Sequence, residues 1–226
     1  MGNSALVVLS GGQDSTTCLY WAIKEFGISN IEAITFDYQQ RHRIELECAE
    51  KITSLINVPQ TVLPINTFQD LGGSALTEEA IEVKNDLNPE NQLPNTFVPG
   101  RNLIFLTFAA AHAYKRGIKT LVMGVSQTDY SGYPDCRPEF FKSAINTINL
   151  GSKLSTEYDV HIEIVTPIID KTKAEIIQLG MKLHSPIELT WSCYDGGQKP
   201  CNQCDSCILR ARGFAELGIK DPSFKR

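Results

Sequence analysis

The sequence predicts an α/β fold, a parallel sheet with helices on both faces, followed by a small C-terminal helical segment that binds a metal. Three observations predict it. Short apolar runs rich in β-branched residues alternate with stretches of helical periodicity; the first run ends in a glycine-rich turn that opens a helix; and four cysteines crowd between Cys193 and Cys207.

Ala5-Leu6-Val7-Val8-Leu9 has the length and branching of a buried strand, and apolar residues return at helical spacing from Thr16 through Lys24. Between them stands Ser10-Gly11-Gly12-Gln13-Asp14-Ser15-Thr16-Thr17. Two glycines permit a sharp bend and bring backbone N–H groups close to a ligand, while the helix aims its unpaired amides at the same place. Such a turn binds phosphate. The same residue types also suit an ordinary strand-to-helix turn. A nucleotide-hydrolysing P-loop needs Lys-Ser or Lys-Thr after its last glycine, and a dinucleotide fold needs G-x-G-x-x-G; the turn shows neither.

Ile31 to Phe36 reads as a second strand, followed by Asp37-Tyr38-Gln39-Gln40-Arg41-His42. A helix with apolar residues at Ile44, Cys48, Ile52 and Leu55 leads to a short strand, Thr61-Val62-Leu63. Units of this kind build parallel sheets with ligands at the carboxyl ends of the strands, which puts a nucleotide at the ends of strands one and two. From 66 to 98 turn signals replace periodicity, the pattern of a lid, a binding loop or a mobile insertion. Val98-Pro99-Gly100-Arg101-Asn102 then opens an apolar helix, Leu103 to Lys115; Arg101 and Asn102 suit either a helix start with a solvated cation or a ligand contact.

Leu121 to Val125 gives a fourth strand, which runs into a loop spanning Asp129 to Phe140. Tyr130 and Tyr133 can stack on a heterocycle, Asp129 or Asp135 can accept hydrogen bonds from an amidine-like edge, and Arg137 can pair with a carboxylate. A surface loop held by Tyr and Pro packing is the alternative. A helix from Pro138 to about Leu154 and a strand from Ile162 to Pro167 follow. Asp170 reads as the N-cap of the next helix, which runs to Leu179 and stops at Gly180. A lysine in a helix's first turn opposes the dipole unless an anion is near, so Lys171 or Lys173 is a candidate for transferred phosphates or leaving pyrophosphate.

At 226 residues the chain divides into a nucleotide-binding domain over 1–185 and a cysteine-rich segment over 186–226. No stretch reaches the roughly 18 apolar residues of a membrane span, and a core strand begins at once, so the expectation is a soluble cytoplasmic protein without a secretory signal. A net charge of −5 favours small-molecule substrates over nucleic acid. Cys193, Cys201, Cys204 and Cys207, with Gly196, Gly197 and Pro200 between them, suit a closed tetrahedral zinc site. Their spacing also begins an iron–sulfur ligand set. Zinc with four thiolates has no open position, so its expected role is structural. Cys18 and Cys48 read as small core residues, and Cys136 is the one candidate nucleophile.

Ser-Gly-Gly-x-Asp-Ser resembles the PP-loop of ATP pyrophosphatases, Rossmann-like enzymes that cut ATP to AMP and pyrophosphate while adenylating a substrate. The resemblance implies that the Ser10 and Ser15 hydroxyls and the loop amides hold phosphates and that Asp14 helps to hold magnesium. Gly11, Gly12, Gln13, Thr16, Thr17, Phe36 and Arg101 join them as nucleotide-binding positions. Taken with Phe36 to His42, Val98 to Asn102, Asp129 to Arg137, Glu188 to Cys193 and the Cys201-x-x-Cys204-x-x-Cys207 tail, it resembles the 7-cyano-7-deazaguanine synthase family of the queuosine pathway over nearly the whole chain. That family implies a C–N-forming ligase: 7-carboxy-7-deazaguanine, ammonia and two ATP give the nitrile through adenylated carboxylate and amide. Asp14, Lys173 and Asp135 are the candidate catalytic residues, Tyr130, Tyr133, Asp135 and Arg137 the candidate substrate contacts, ATP, magnesium and zinc the cofactors, and a homodimer the expected assembly. There is no room for a glutaminase domain in these 226 residues, so free ammonia is the expected nitrogen source. Gln39 departs from the family's Asp-Tyr-Gly-Gln-Arg-His, where glycine is expected. The rival readings are a PP-loop enzyme that modifies tRNA and a non-enzymatic zinc module that binds nucleic acid or a partner.

Overall fold

The computed structural model describes residues 4–84, 93–126 and 133–225. Five strands, β1 (Ala5–Val8), β2 (Ile31–Asp37), β3 (Gln60–Pro64), β4 (Thr120–Met123) and β5 (Glu163–Val165), form one parallel sheet in the order β3-β2-β1-β4-β5. β1 lies at the centre and is buried along its whole length, which is why its sequence is an unbroken apolar run and not an alternation. Leu6, Val8, Ile34, Phe36, Leu121 and Met123 pack on one face against α4 (Arg101–Arg116) and α5 (Pro138–Leu150). Ala5, Val7, Ile31, Ala33 and Val122 pack on the other against α1 (Gln13–Phe26), α2 (Ile44–Ile56) and α7 (Lys173–Lys182). The chain order reverses between β1 and β4, which opens a crevice at their carboxyl ends.

Several boundaries differ from the sequence reading. The segment after β3 is not featureless: Thr67–Leu71 forms a short helix, α3, and Arg41 donates to the carbonyls of Glu78, Glu79 and Ile81. The helix expected from Pro138 to Leu154 breaks at Gly151-Ser152, where Ser152 is extended (φ −107°, ψ 127°), and restarts as α6 (Lys153–Tyr158). Asn149 explains the stop, because its side chain bonds both the N–H and the carbonyl of Ile162 as the chain enters β5. α7 is capped by Thr172, not Asp170. Thr172 and Glu175 make a reciprocal capping box, Glu175 N–H to Thr172 Oγ1 at 3.3 Å and Thr172 N–H to Glu175 Oε2 at 2.8 Å. Nor does Gly180 end α7. It lies inside the helix because a Cβ there would stand 2.8 Å from Ser185 Oγ and 2.9 Å from Thr17 Oγ1. Finally, α8 (Asp205–Glu216) starts after Cys204, carries Cys207 in its first turn and packs along α7.

Candidate active site

The glycine-rich turn sits at the crevice, wedged between two other segments. Gly11 has φ +90°, and a Cβ on it would stand 2.0 Å from the Glu45 carbonyl oxygen and 2.8 Å from the Ala49 nitrogen, both backbone atoms of α2. Its carbonyl accepts the Trp191 N–H at 3.1 Å. The first glycine therefore serves the docking of α2 as well as the bend. Inside the turn Ser15 Oγ accepts the Ser10 N–H at 3.2 Å and lies 3.0 Å from Ser10 Oγ. Thr16 and Thr17 return their hydroxyls to the carbonyls of Gly12 and Gln13, at 2.8 and 2.9 Å, and so hold α1's first turn. Gly124, just after β4, lets that turn pack closely, since a Cβ would meet Ser15 Cα at 2.7 Å.

The structure brings together two residues that the sequence places 159 positions apart. Lys173 Nζ donates to both carboxylate oxygens of Asp14, at 2.9 and 2.8 Å, and both residues line the cleft. Thr172 sets Lys173 at the first position of α7, and Gly213 of α8 presses against its stem. Gln13 lines the same cleft with its side-chain amide buried and both polar atoms without a partner. An unpartnered buried amide is costly, and a ligand reaching it would supply the missing bonds.

Across the cleft stands Arg101, whose guanidinium lies 6.0 Å from the ring centres of both Tyr38 and Tyr133. Tyr133 is fixed by a 2.7 Å hydrogen bond to Thr96. Asp135 is buried behind and does not itself line the cleft; the backbone N–H groups of Asn102 and of Asp135 itself point at its carboxylate. Burial pushes its carboxyl above the usual range against the opposing pull of Arg101. Cys136 lines the cleft, but burial pushes its thiol up to about 11, so it is a thiol and not a thiolate at neutral pH. Phe36 is buried and stacks on Phe105 at 4.4 Å, behind the cleft wall. Arg137 is exposed and does not line the cleft, while Asp129 and Tyr130 lie outside the described residues.

Two groups escaped sequence reasoning. His42 and Glu45 line the cleft at the start of α2, with His42 Nε2 3.3 Å from Glu45 Oε1. An ionisable pair at i, i+3 beside a helix start was the available signal. Arg210 of α8 bonds Asp221 through two nitrogens, at 2.5 and 3.0 Å, and reaches Thr190 Oγ1 and Ser192 Oγ at 2.8 and 3.2 Å. Nothing in spacing points to that pair, because its partners lie in irregular segments. The family's glycine position has a clear cause: Gln39 adopts φ 59°. Its N–H bonds Asp37 Oδ1 at 3.1 Å and its side chain bonds Asn66, which hold a left-handed turn that glycine adopts more cheaply.

The sulfur atoms of Cys193, Cys201, Cys204 and Cys207 all lie within 4.8 Å of one another. Backbone N–H groups point at two of them: Cys201 N–H to Cys193 Sγ at 3.3 Å, and the N–H groups of Gln203 and Cys204 to Cys201 Sγ at 3.4 and 3.3 Å. Such donors stabilise thiolate charge, and the crowded thiols share their protons: Cys193 and Cys207 hydrogen-bond to Cys204 and hold its thiol low. Four sulfurs so arranged fit a metal ion. Trp191 and Cys48 close the cluster's apolar side.

Sequence comparison adds the last observation. Residues 4–218 match the family described as queuosine biosynthesis protein QueC. The chain is 54% identical to the 7-cyano-7-deazaguanine synthase of Chromobacterium violaceum, covering 98% of this chain and 93% of that protein. It is 50% identical to the enzyme of the same name from Laribacter hongkongensis, over 98% and 94%. Among solved structures, NMN synthetase from Francisella tularensis has a similar fold, with TM-score 0.53 and 14% identity over 97% of this chain and 79% of that one.

Proposed function

The chain belongs to the QueC family of queuosine biosynthesis proteins, and from that premise we propose that it uses ATP to turn 7-carboxy-7-deazaguanine and ammonia into 7-cyano-7-deazaguanine. The observation that carries this reading is the pairing of Lys173 with Asp14 at the glycine-rich turn, in the same cleft as Arg101 and Tyr133. One wall is built for phosphate and the other for a flat, acidic molecule.

In this reading Ser10, Ser15 and the amides of residues 11–13 hold the triphosphate of ATP. Asp14 would hold magnesium, which neutralises phosphate charge. Lys173, released from Asp14, then faces the phosphates and stabilises the pyrophosphate that leaves when the substrate carboxylate attacks the α-phosphorus. AMP makes a leaving group of a carboxylate oxygen, so ammonia can displace it and form the amide. A second adenylation, at the amide oxygen, lets that oxygen depart and leaves the nitrile. Tyr133 and Tyr38 supply apolar faces for the heterocycle, Arg101 opposes its carboxylate, and the Asp135 carboxylate, buried behind them, would accept from its amidine-like edge.

The four cysteines would hold zinc, whose filled shell ties the tail together and leaves no position for chemistry. Sulfurs no more than 4.8 Å apart suit a single ion better than a four-iron cluster. No helix among the described residues is long and apolar enough to cross a membrane, and the reading extends to a cytoplasmic homodimer acting on small molecules, without a nucleic-acid partner. The test mixes the purified protein with ATP, magnesium, ammonium and the carboxy-deazaguanine. AMP, pyrophosphate and nitrile are the expected products; absence of both AMP and nitrile overturns the reading. A colourless protein with one equivalent of zinc supports the metal assignment, whereas a brown one removes it.

A further inference from the structure

We propose that His42 is the base that takes protons from the reacting nitrogen, and that Glu45 positions it; this deepens the reaction proposed above and rests on it. The loop after β2 delivers His42 to the cleft, where its side chain is 4% exposed. Its ring tilts against Tyr194 with centres 5.6 Å apart. Nε2 faces Glu45 Oε1 at 3.3 Å, and that same oxygen accepts Gln40 Nε2 at 3.3 Å. Gln40 is itself anchored to the end of β2 by the Tyr38 N–H at 3.0 Å. The carboxylate is thus fixed from two sides, and it fixes the ring.

A carboxylate only accepts, so Nε2 carries the hydrogen and Nδ1 keeps the lone pair in neutral His42. Nδ1 is buried and has no hydrogen-bond partner. Burying an acceptor with nothing donated to it is unfavourable, and an N–H of the bound nitrogen is a fitting donor. Place and chemistry agree. The backbone of Glu45 touches Gly11, so the pair stands on the α2 wall against the turn that handles ATP. Other titratable groups of the cleft are less suited: Lys173 and Asp14 are engaged with each other, and burial holds Cys136 as a thiol and Tyr38, Tyr133 and Tyr194 as phenols.

The reaction needs a base on one atom throughout, because ammonia arrives with three hydrogens and the nitrile nitrogen has none. In the first half the nitrogen lone pair bonds the acyl carbon, an N–H proton passes to Nδ1 and on to solvent, and the C–O bond breaks with its electrons leaving on AMP. In the second half the amide oxygen displaces pyrophosphate from another ATP. One N–H proton goes to Nδ1 and then to solvent. The last N–H proton follows as its electron pair closes the C–N triple bond and the C–O pair departs with AMP. The Glu45 carboxylate steadies the imidazolium at each transfer.

Adenylation itself needs no base, and the test turns on that division. In a His42→Gln protein, carboxylate-dependent exchange of pyrophosphate with ATP should stay within about threefold of wild type, while nitrile formation falls by about 10²-fold or more. Imidazole added to the assay should restore part of the loss. Glu45→Gln, with exchange again retained, should slow nitrile formation by about tenfold through misplacement of the ring. Full nitrile turnover by His42→Gln, or equal loss of exchange and nitrile in both variants, overturns the proposal. A wild-type protein that makes no nitrile removes the reaction as a whole; a working wild type beside an equally fast His42→Gln protein removes this inference alone.

Discussion

Two aspartate–cation pairs, one spanning 11 positions and the other 159, are built for different ends. Arg210 and Asp221 are 7% and 4% exposed, and every polar edge is used: Asp221 also accepts the N–H and hydroxyl of Ser223, and Arg210 also reaches the Ile187 carbonyl. Lys173 and Asp14 are 15% and 27% exposed and both line the cleft, whereas of the other pair only Arg210 does. A fully desolvated, multiply bonded pair cannot change partners without leaving a charge stranded. A pair at a cleft can exchange its partner for phosphate or metal. The first is a fastening and the second a resting state.

Breaking the fastening has the largest expected effect. Arg210→Met leaves Asp221 buried with its charge uncompensated, and should cost about 3–5 kcal/mol in urea unfolding. Replacing both residues, Arg210→Met with Asp221→Leu, should recover most of that loss. Acid sharpens the point. Burial alone would raise the Asp221 carboxyl, but the bonds and charge of Arg210 and the Ser223 donors hold it below the usual carboxylate range. Its folded pKa is therefore depressed. The stability it contributes is complete above the unfolded value of about 3.9 and is lost as pH falls through the folded value, so wild type should show an acid limb below about pH 4 that the double variant lacks.

Lys173→Ala should behave in the opposite sense. A partly exposed pair contributes little to folding, so unfolding should change by less than about 1 kcal/mol. AMP and nitrile formation should fall by about 10²–10³-fold, the size expected for a lost charge at a developing anion. If Lys173→Ala unfolds as readily as Arg210→Met, the distinction between fastening and resting state is wrong.

The same contrast explains what the sequence disclosed. β1 and the turn after it were legible because a buried central strand must be apolar throughout and a tight strand-to-helix turn must carry glycine; the first turn of α1 followed. The cysteine cluster was legible because ligand spacing is local. Thr172 was available to inspection as an S/T-x-x-E box, but Asp170 was an equally ordinary cap, and only the backbone decides between them. Gly180 and Gly213 could not be read at all, since what each glycine avoids lies on another element: Thr17 and Ser185 for one, Lys173 and Ile177 for the other. Arg210 and His42 fall in the same class. Their meaning rests on tertiary partners, and for His42 on a missing one.

Gly213 lies where the helix that carries Arg210 presses on the helix that carries Lys173, and it gives the finest test. α8 carries Arg210, and three residues later its backbone lies so close to α7 that a Cβ at Gly213 would stand 2.8 Å from Lys173 Cγ and Ile177 Cδ1 and 3.1 Å from the Lys173 carbonyl carbon. The side-chain atoms can move aside; the carbonyl carbon of a capped helix start cannot do so freely. Gly213→Ala should therefore cost about 1–3 kcal/mol in unfolding, the usual penalty for overpacking. It should also shift Lys173 and slow AMP formation by about tenfold, less than the loss a full misplacement brings. In a Lys173→Ala background the lysine stem is gone, but the residue 173 carbonyl carbon and Ile177 remain, so Gly213→Ala should keep most of its cost in unfolding. Its effect on AMP formation should vanish, because there is no lysine left to shift, which a double-mutant cycle on AMP formation measures directly. Additive effects on AMP formation would mean that α8 meets Lys173 only in passing, and that it does not support the resting state.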